Sequence, residues 1–326
     1  MAAPALSVVM GAYNCPRYIG AAIRSILDQT FRDFEFLIID DGSTDRTPAI
    51  LRRFAAMDGR IRIITVAHEG ICSMRNRGLV EAAAPLIANM DQDDLSLPHR
   101  FAAQIDFLQR HPHIAVVGGW LETMDARGRP IRTFTAPTDH AAIDRLHLSG
   151  VTAVSHATSI YRADAARAAG GYRAASELAE DLDLWLRIAD RQRLATLPCV
   201  CFRYRVHEGS VSSQQHLRQL AAVRNSCELA WQRRGLPPQP LATVPWRPAH
   251  SRAARIAFEL DQGWSALLHQ HRKTALAFAA KALCRSPLHA PAWKLLACTM
   301  RPRGAGALCP VKPPAILDPS ILGPFA

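Results

Sequence analysis

Acidic side chains gather in this chain at Asp40-Asp41, at Asp91-Gln92-Asp93-Asp94 and at Glu180-Asp181, and a histidine, His207, closes a fourth stretch. The first two clusters stop apolar runs, Phe34–Ile39 and Leu86–Met90, so they fall at the carboxyl ends of strands. Open α/β sheets bind their ligands in the crevice at that edge. Carboxylates a few ångströms apart raise one another's pKa, and a divalent cation relieves the repulsion. Hard oxygen donors suit Mg²⁺ or Mn²⁺, which are normally held by one or two carboxylates together with substrate phosphates. The residues alone therefore imply a phosphorylated substrate.

The elements that must position these groups alternate along the first half. Ser7–Met10 reads as a short strand, and Tyr18, Ile19, Ala22, Ile23, Ile26 and Leu27 recur at helical spacing. Thr47–Met57 reads as a helix, Ile61–Val66 as a strand and Ser73–Ala83 as a helix. Pro98 opens a helix to Arg110, and Ile114–Val117 is again a strand. Repeated β-α-β units predict an α/β fold, a mostly parallel sheet with helices on both faces. Further on, Asp125–Arg129 reads as a hairpin turn, Asp139–Leu148 as a helix, and Leu182, Trp185, Leu186 and Ala189 as one face of a helix starting near Glu180. Cys199–His207 alternates, which predicts a strand with Val200, Phe202, Tyr204 and Val206 on one side.

After about Ser213 the pattern is helical only. Ala253–Leu268 and Lys273–Cys284 read as a helix pair and Ala292–Cys298 as a third helix, with spacing similar to one tetratricopeptide-like unit. One unit has no neighbour to stack on, so it reads as an appendage. The expected division is 1–215 for the α/β domain, 216–300 for the all-helical appendage and 301–326 for a Pro/Gly-rich tail of low order.

Lys plus Arg (39) exceed Asp plus Glu (28), giving +11 with histidine neutral. A basic excess fits an anionic membrane surface or a solvated face. No motif with interleaved aromatics points to nucleic acid. The eight cysteines form no CxxC pair, which argues against zinc and for reduced thiols. No apolar stretch nears the ~20 residues of a membrane span, and the N-terminus lacks a signal-peptide pattern. The expected location is cytoplasmic, with peripheral contact at the inner membrane face left open.

Taken in order, several blocks resemble the family 2 inverting glycosyltransferases with the GT-A, Rossmann-like fold. They are Val8–Asn14, Ser25–Phe31, Phe34–Asp45, Gly70–Gly78, Met90–Asp94, Glu180–Arg187 and Tyr204–Ser212. The resemblance runs over residues 5–215. Any single Asp-X-Asp triplet is common by chance; the ordered set is specific.

The resemblance implies roles residue by residue. Tyr13 and Asp41 would hold the nucleobase, against a plain solvated turn at Asp41. Arg75 would reach the base or diphosphate, against a surface arginine. Asp93 would bind the ribose, and Asp94 and Asp91 would hold Mn²⁺ or Mg²⁺, against a merely helix-capping loop. His207 would complete the metal shell, against a structural histidine. Asp181 would be the catalytic base, kept ionised at the positive end of its helix, with Glu180 and Asp183 as rivals or first-turn caps. Glu180, Trp185 and His156 would border the acceptor. For Trp185 the core is the stronger reading, and for His156 satisfied burial. Gly11-Ala12 replace a common hydroxyl residue, and Glu208 replaces a proline common after the histidine.

The implied reaction moves a sugar from a nucleotide-sugar donor, a UDP-sugar foremost, to a hydroxyl on a glycan, glycolipid or other acceptor, as in cell-surface polysaccharide synthesis. One rival is a sugar nucleotidyltransferase, which would need a Gly-rich, Lys-containing loop where this chain has Gly11–Arg17. The other is a non-catalytic interaction protein with a degenerate transferase domain.

Overall fold

A computed structural model describes residues 3–207, 215–241 and 251–301. Glu208, Cys309 and the tail from 302 lie outside them. Two compact units divide the chain. The described residues of Met1–Leu121, Phe134–Arg205 and Leu217–Leu241 make the first; those of Glu122–Thr133, Val206–His216 and Ala242–Ala326 make the second.

The first unit is built on β1 (Leu6–Ala12), which pairs in parallel with β2 (Phe34–Asp40) on one side and β4 (Leu86–Met90) on the other. β3 (Ile61–Thr65) continues the parallel part beyond β2. The register sets Ala12 beside Asp40 and Met10 beside Met90. Tyr13, Asp41 and Asp91 therefore leave the sheet at one edge. Antiparallel pairing joins β8 (Ile160–Arg162) to β4 and to β6 (Ile114–Asp125), and β5 (Leu95–Ser96) to β9 (Arg193–Val206), in the order β3-β2-β1-β4-β8-β6-β9-β5. The result is a mixed sheet with a parallel core.

Alternate side chains of the central strands feed two cores. Val8, Met10, Phe36 and Ile38 face α1 (Ile19–Leu27), α2 (Thr47–Met57) and α4 (Arg100–Arg110). Val9, Leu37 and Ile87 face α3 (Ile71–Glu81), α6 (Ala163–Ala168) and α7 (Glu180–Ile188). Gly78 lets α3 lie on β1, since a Cβ there would come within 2.3 Å of Val9. α5 (His140–Leu148) is capped by Asp139, which accepts the Ala142 N–H at 2.9 Å. Trp231 of α8 (His216–Arg234) donates to Leu148 O at 3.2 Å and packs with Leu182 and Leu186. The expected boundary at 215 puts α8 with the later helices, whereas these contacts hold it to the first unit.

Trp185 is fully buried, donates its indole N–H to Val154 O at 3.1 Å and meets Tyr161 edge-on at 5.5 Å. It fills the core and has no surface left to border an acceptor. Trp185→Ala is expected to cost about 3–5 kcal/mol, the usual range for a buried aromatic. A urea midpoint equal to wild type would place the ring elsewhere.

In the second unit, β7 (Pro130–Phe134) folds back on the end of β6. Asp125 organises the turn, taking the N–H groups of Arg127 at 2.9 Å and Arg129 at 3.0 Å. Three helices follow, α9 (Arg252–Leu268), α10 (Arg272–Arg285) and α11 (Ala290–Met300). They interlock through Ile256, Leu260, Ala279, Ala282, Ala292 and Leu295. Gly263 permits the close approach, because a Cβ would stand 2.4 Å from Leu295.

Differences from the periodicity are local. β9 begins at Arg193, and both Cys201 and Phe202, like both Arg205 and Val206, are buried. The alternation at 199–207 predicts one dry face, but this strand is covered on both.

Candidate active site

Where β1 and β2 end, the chain turns back on itself around Asp41. Its carboxylate accepts the Glu69 N–H at 2.8 Å and the Gly70 N–H at 3.4 Å, with His68 Nδ1 at 3.0 Å. Asp41 is only 4% exposed, and its first partners are therefore the 68–70 loop. A carboxylate has about four lone-pair sites, so acceptor capacity remains. The Tyr13 ring stacks on His68, centroids 4.2 Å apart, and stays 40% exposed. Gln92 ties this end of β1 to the loop after β4. Its Oε1 takes the Tyr13 N–H at 2.8 Å, and its Nε2 donates to Tyr13 O at 3.2 Å.

The loop after β4 carries Asp91, Asp93 and Asp94. Pairing of β5 with β9 sets Leu95 opposite Arg203, which brings Asp94 to Arg205. Arg205 donates its backbone N–H to Asp94 Oδ1 at 2.6 Å and its Nε–H to Asp93 O at 2.6 Å. Asp94 is 1% exposed, and among the described residues its Oδ2 has no hydrogen-bond partner. Burial pushes its pKa well above the ordinary carboxylate value; Asp93 and Asp91 add repulsion, and the Arg205 N–H only partly offsets them.

Arg75, one turn into α3, is the cation of the site. It pairs with Glu180 through Nη1, lies 4.0 Å from Asp91 and sits over the Tyr172 ring at 5.7 Å. Burial opposes its charge, but Glu180 and Asp91 outweigh that and hold its pKa above the usual value. Asp91 keeps 35% of its side chain exposed, yet desolvation in the cleft pushes it up to about 6; Arg75 opposes this, while Asp93 and Asp181 add repulsion. Asp181 stands in the first turn of α7 and accepts the Leu182 N–H at 2.7 Å. The helix end would keep it ionised at low pH, but burial and then Glu180 push it up to about 6. Both carboxylates are mostly ionised at neutral pH and keep real basicity.

His156 lies beneath Asp91, with Nδ1 at 3.9 Å, and places Nε2 3.1 Å from the Tyr172 hydroxyl. Burial, then Arg75 and Arg100, hold its pKa well below the ordinary value, so it is neutral. Tyr172 also approaches the Tyr161 hydroxyl at 3.2 Å, and Asn76 pins its backbone from both sides at 2.7 and 2.8 Å. Sequence reasoning misses Gln92, His68, Asn76 and Tyr172. Gln92 is visible only as the spacer among the acids, and Tyr172 follows Gly170-Gly171 with no periodicity around it.

Arg75, Asp91, Glu180, Asp181 and His156 thus share one cluster, with Asp93 and Asp94 on its flank and Tyr13 joined through Gln92. Glu180 pairs with Arg75 through Oε1, and among the described residues its buried Oε2 has no hydrogen-bond partner. His207 follows β9 directly and is half-buried. Among the described residues no three His, Cys, Asp or Glu side chains already converge on one metal position. The donor set still fits a hard divalent cation. Such ions need only one or two carboxylates when phosphates supply the rest, and the unpartnered buried Asp94 oxygen is one such donor.

Comparison with known proteins gives the family and the fold. The model of glycosyl transferase family 2 matches residues 7–170. EpsE of Bacillus subtilis (strain 168), which bears a provisional glycosyltransferase name, is 36% identical over 189 residues; the match spans 56% of this chain and 66% of EpsE, just short of two thirds of its length. The O-antigen biosynthesis glycosyltransferase WbnJ of Escherichia coli is 29% identical over 63% of this chain and 81% of WbnJ. The mannosyltransferase PcManGT of Pyrobaculum calidifontis, solved with GDP-Man and Mn²⁺, superposes with a TM-score of 0.54 at 19% identity over 91% of this chain and 79% of that one. That likeness speaks to fold, which is GT-A. By the family match and by this sheet, the chain belongs to glycosyl transferase family 2.

Proposed function

We propose that this chain transfers a sugar from a nucleoside-diphosphate sugar to an acceptor hydroxyl by a single displacement that inverts the sugar carbon. The observation that carries the reading is the cluster around Arg75, in which Asp91 and Asp181 face one guanidinium beyond the carboxyl ends of β1 and β4. A guanidinium outnumbered by carboxylates suits a substrate that brings its own phosphates together with a cation.

In this reading Tyr13 supplies a stacking face for the base, and Asp41 uses its remaining lone pairs on a ring N–H. Asp93 takes the ribose. Arg75 keeps donors beyond the one given to Glu180 and turns them to the diphosphate. Asp91 and Asp94 would hold Mn²⁺ or Mg²⁺, which when bound stabilises charge on the leaving diphosphate. Asp181 takes the proton of the attacking hydroxyl, and its pKa near 6 suits that task at neutral pH. An α-linked donor gives a β-linked product. Relatives such as WbnJ, named for O-antigen biosynthesis, support a cell-surface glycan as acceptor.

The test is calorimetry of the full chain with a panel of UDP-, dTDP- and GDP-sugars, with and without Mn²⁺. Uridine donors are expected to bind in the presence of the ion and lose affinity without it. Failure of every nucleotide sugar to bind in either condition would overturn the reading.

A further inference from the structure

The second unit carries a surface that sugar transfer does not use. Between residues 251 and 301 the carboxylates are Glu259 and Asp261, and both are buried. Glu259 takes Arg285 Nε–H at 2.9 Å, and Asp261 takes the Gln262 amide at 2.9 Å. The exposed charges of this stretch are all positive: Arg252, Arg255, Lys273, Lys281, Lys294 and Arg301. A solvated helical face normally mixes both signs, so this one-sidedness needs a cause.

Apolar groups stand among these cations. The exposed stripe of α10 runs Lys273, Leu276, Ala280, Lys281, and that of α11 runs Trp293, Lys294, Ala297, Met300. At the turn between the two helices Leu288 is 95% exposed; Trp293 is 54% exposed and Met300 69%. Trp293 donates its indole N–H to Pro287 O at 2.7 Å, which ties the half-exposed ring to the turn. No helix among the described residues is long and apolar enough to cross a membrane, so a spanning role does not explain them.

We infer that the α10–α11 face docks on the surface of an anionic lipid bilayer. Leu288, Trp293 and Met300 enter the headgroup boundary, where an amphipathic ring with one polar end is favoured. Lys273, Lys281 and Lys294 lie among them, and their aliphatic stems pass the apolar layer while the ammonium groups meet acidic headgroups. Charge complementarity selects this occupant. A second copy would bring the same cations against these. A nucleic acid would use the lysines but leave Leu288 and Met300 in water. The inference does not depend on the transfer chemistry and survives or fails separately.

The test is co-sedimentation of the full chain with phosphatidylcholine vesicles and with vesicles containing phosphatidylglycerol. Pelleting is expected with the anionic vesicles, falling as salt is raised. The partition coefficient is expected to drop about tenfold or more in a Lys273→Glu, Lys281→Glu, Lys294→Glu variant and in a Leu288→Ser, Trp293→Ser variant, each retaining nucleotide-sugar binding. Equal pelleting with both vesicles, or none with either, overturns the inference using wild-type protein alone. So do full pelleting of the charge-reversed variant, tighter binding to duplex nucleic acid than to vesicles, and self-association abolished by the Leu288→Ser, Trp293→Ser change.

Discussion

Asp181→Asn is expected to lower sugar transfer by about a hundredfold or more while leaving donor affinity intact, the usual scale of a lost general base. The amide has nearly the shape of the carboxylate, and its oxygen still accepts the Leu182 N–H that Asp181 holds at 2.7 Å. What disappears is a proton acceptor with a pKa near 6. The pH dependence carries the same information. Below pH 6 Asp181 is protonated and unable to accept the hydroxyl proton, so kcat/KM of the wild type should fall about tenfold per unit of acid and level off above pH 6. Asp91 also titrates near 6 and feels Asp181, so the limb belongs to the pair. In Asp181→Asn the residual rate should lose the part of this limb that Asp181 supplies. Wild-type turnover in that variant would reject the assignment and turn attention to Glu180, whose Oε2 has no hydrogen-bond partner among the described residues.

The parallel half of the fold was legible because its strands are mostly apolar, and two of them stop abruptly at acids. Phe34–Asp40 and Leu86–Met90 need no partner to be recognised, and their ends mark the cleft edge. The antiparallel half was less so. β5 has two residues and β8 three, and strands that short exist only because a neighbour pairs with them. The same limit applies inside the cleft. Charged residues in strand-end motifs stand out along the chain. The parts that hold them do not: Tyr172, for example, meets His156 only after β8 and α6 have folded the chain back. Glu180 and Trp185 show the other side of the limit. Both lie in a motif-rich helix, yet one turns an oxygen to Arg75 and the other fills the core, and side-chain direction decided which.

Asp94→Asn is expected to weaken metal-dependent donor binding by about a hundredfold or more, above the 10–100-fold range seen when only an outer-shell partner of a metal ligand is lost. The amide oxygen preserves the bond from the Arg205 N–H, so the loop should stay in place. The lost atom is the buried Oδ2, which has no other partner among the described residues. Stability should move the opposite way. The folded pKa of Asp94 lies well above its unfolded value, so the folded state holds the proton more tightly. Its stabilising share is complete below the unfolded pKa and drains away as pH rises toward the folded one, leaving a cost at neutral pH. Asn never ionises and escapes that cost. The variant should therefore unfold at higher urea than wild type at pH 7, with the gap closing near pH 4. Weaker binding with a higher midpoint identifies a charge kept for a ligand at the expense of the fold. Unchanged calorimetric affinity in the presence of Mn²⁺ would remove Asp94 from the metal shell, whatever the midpoint does.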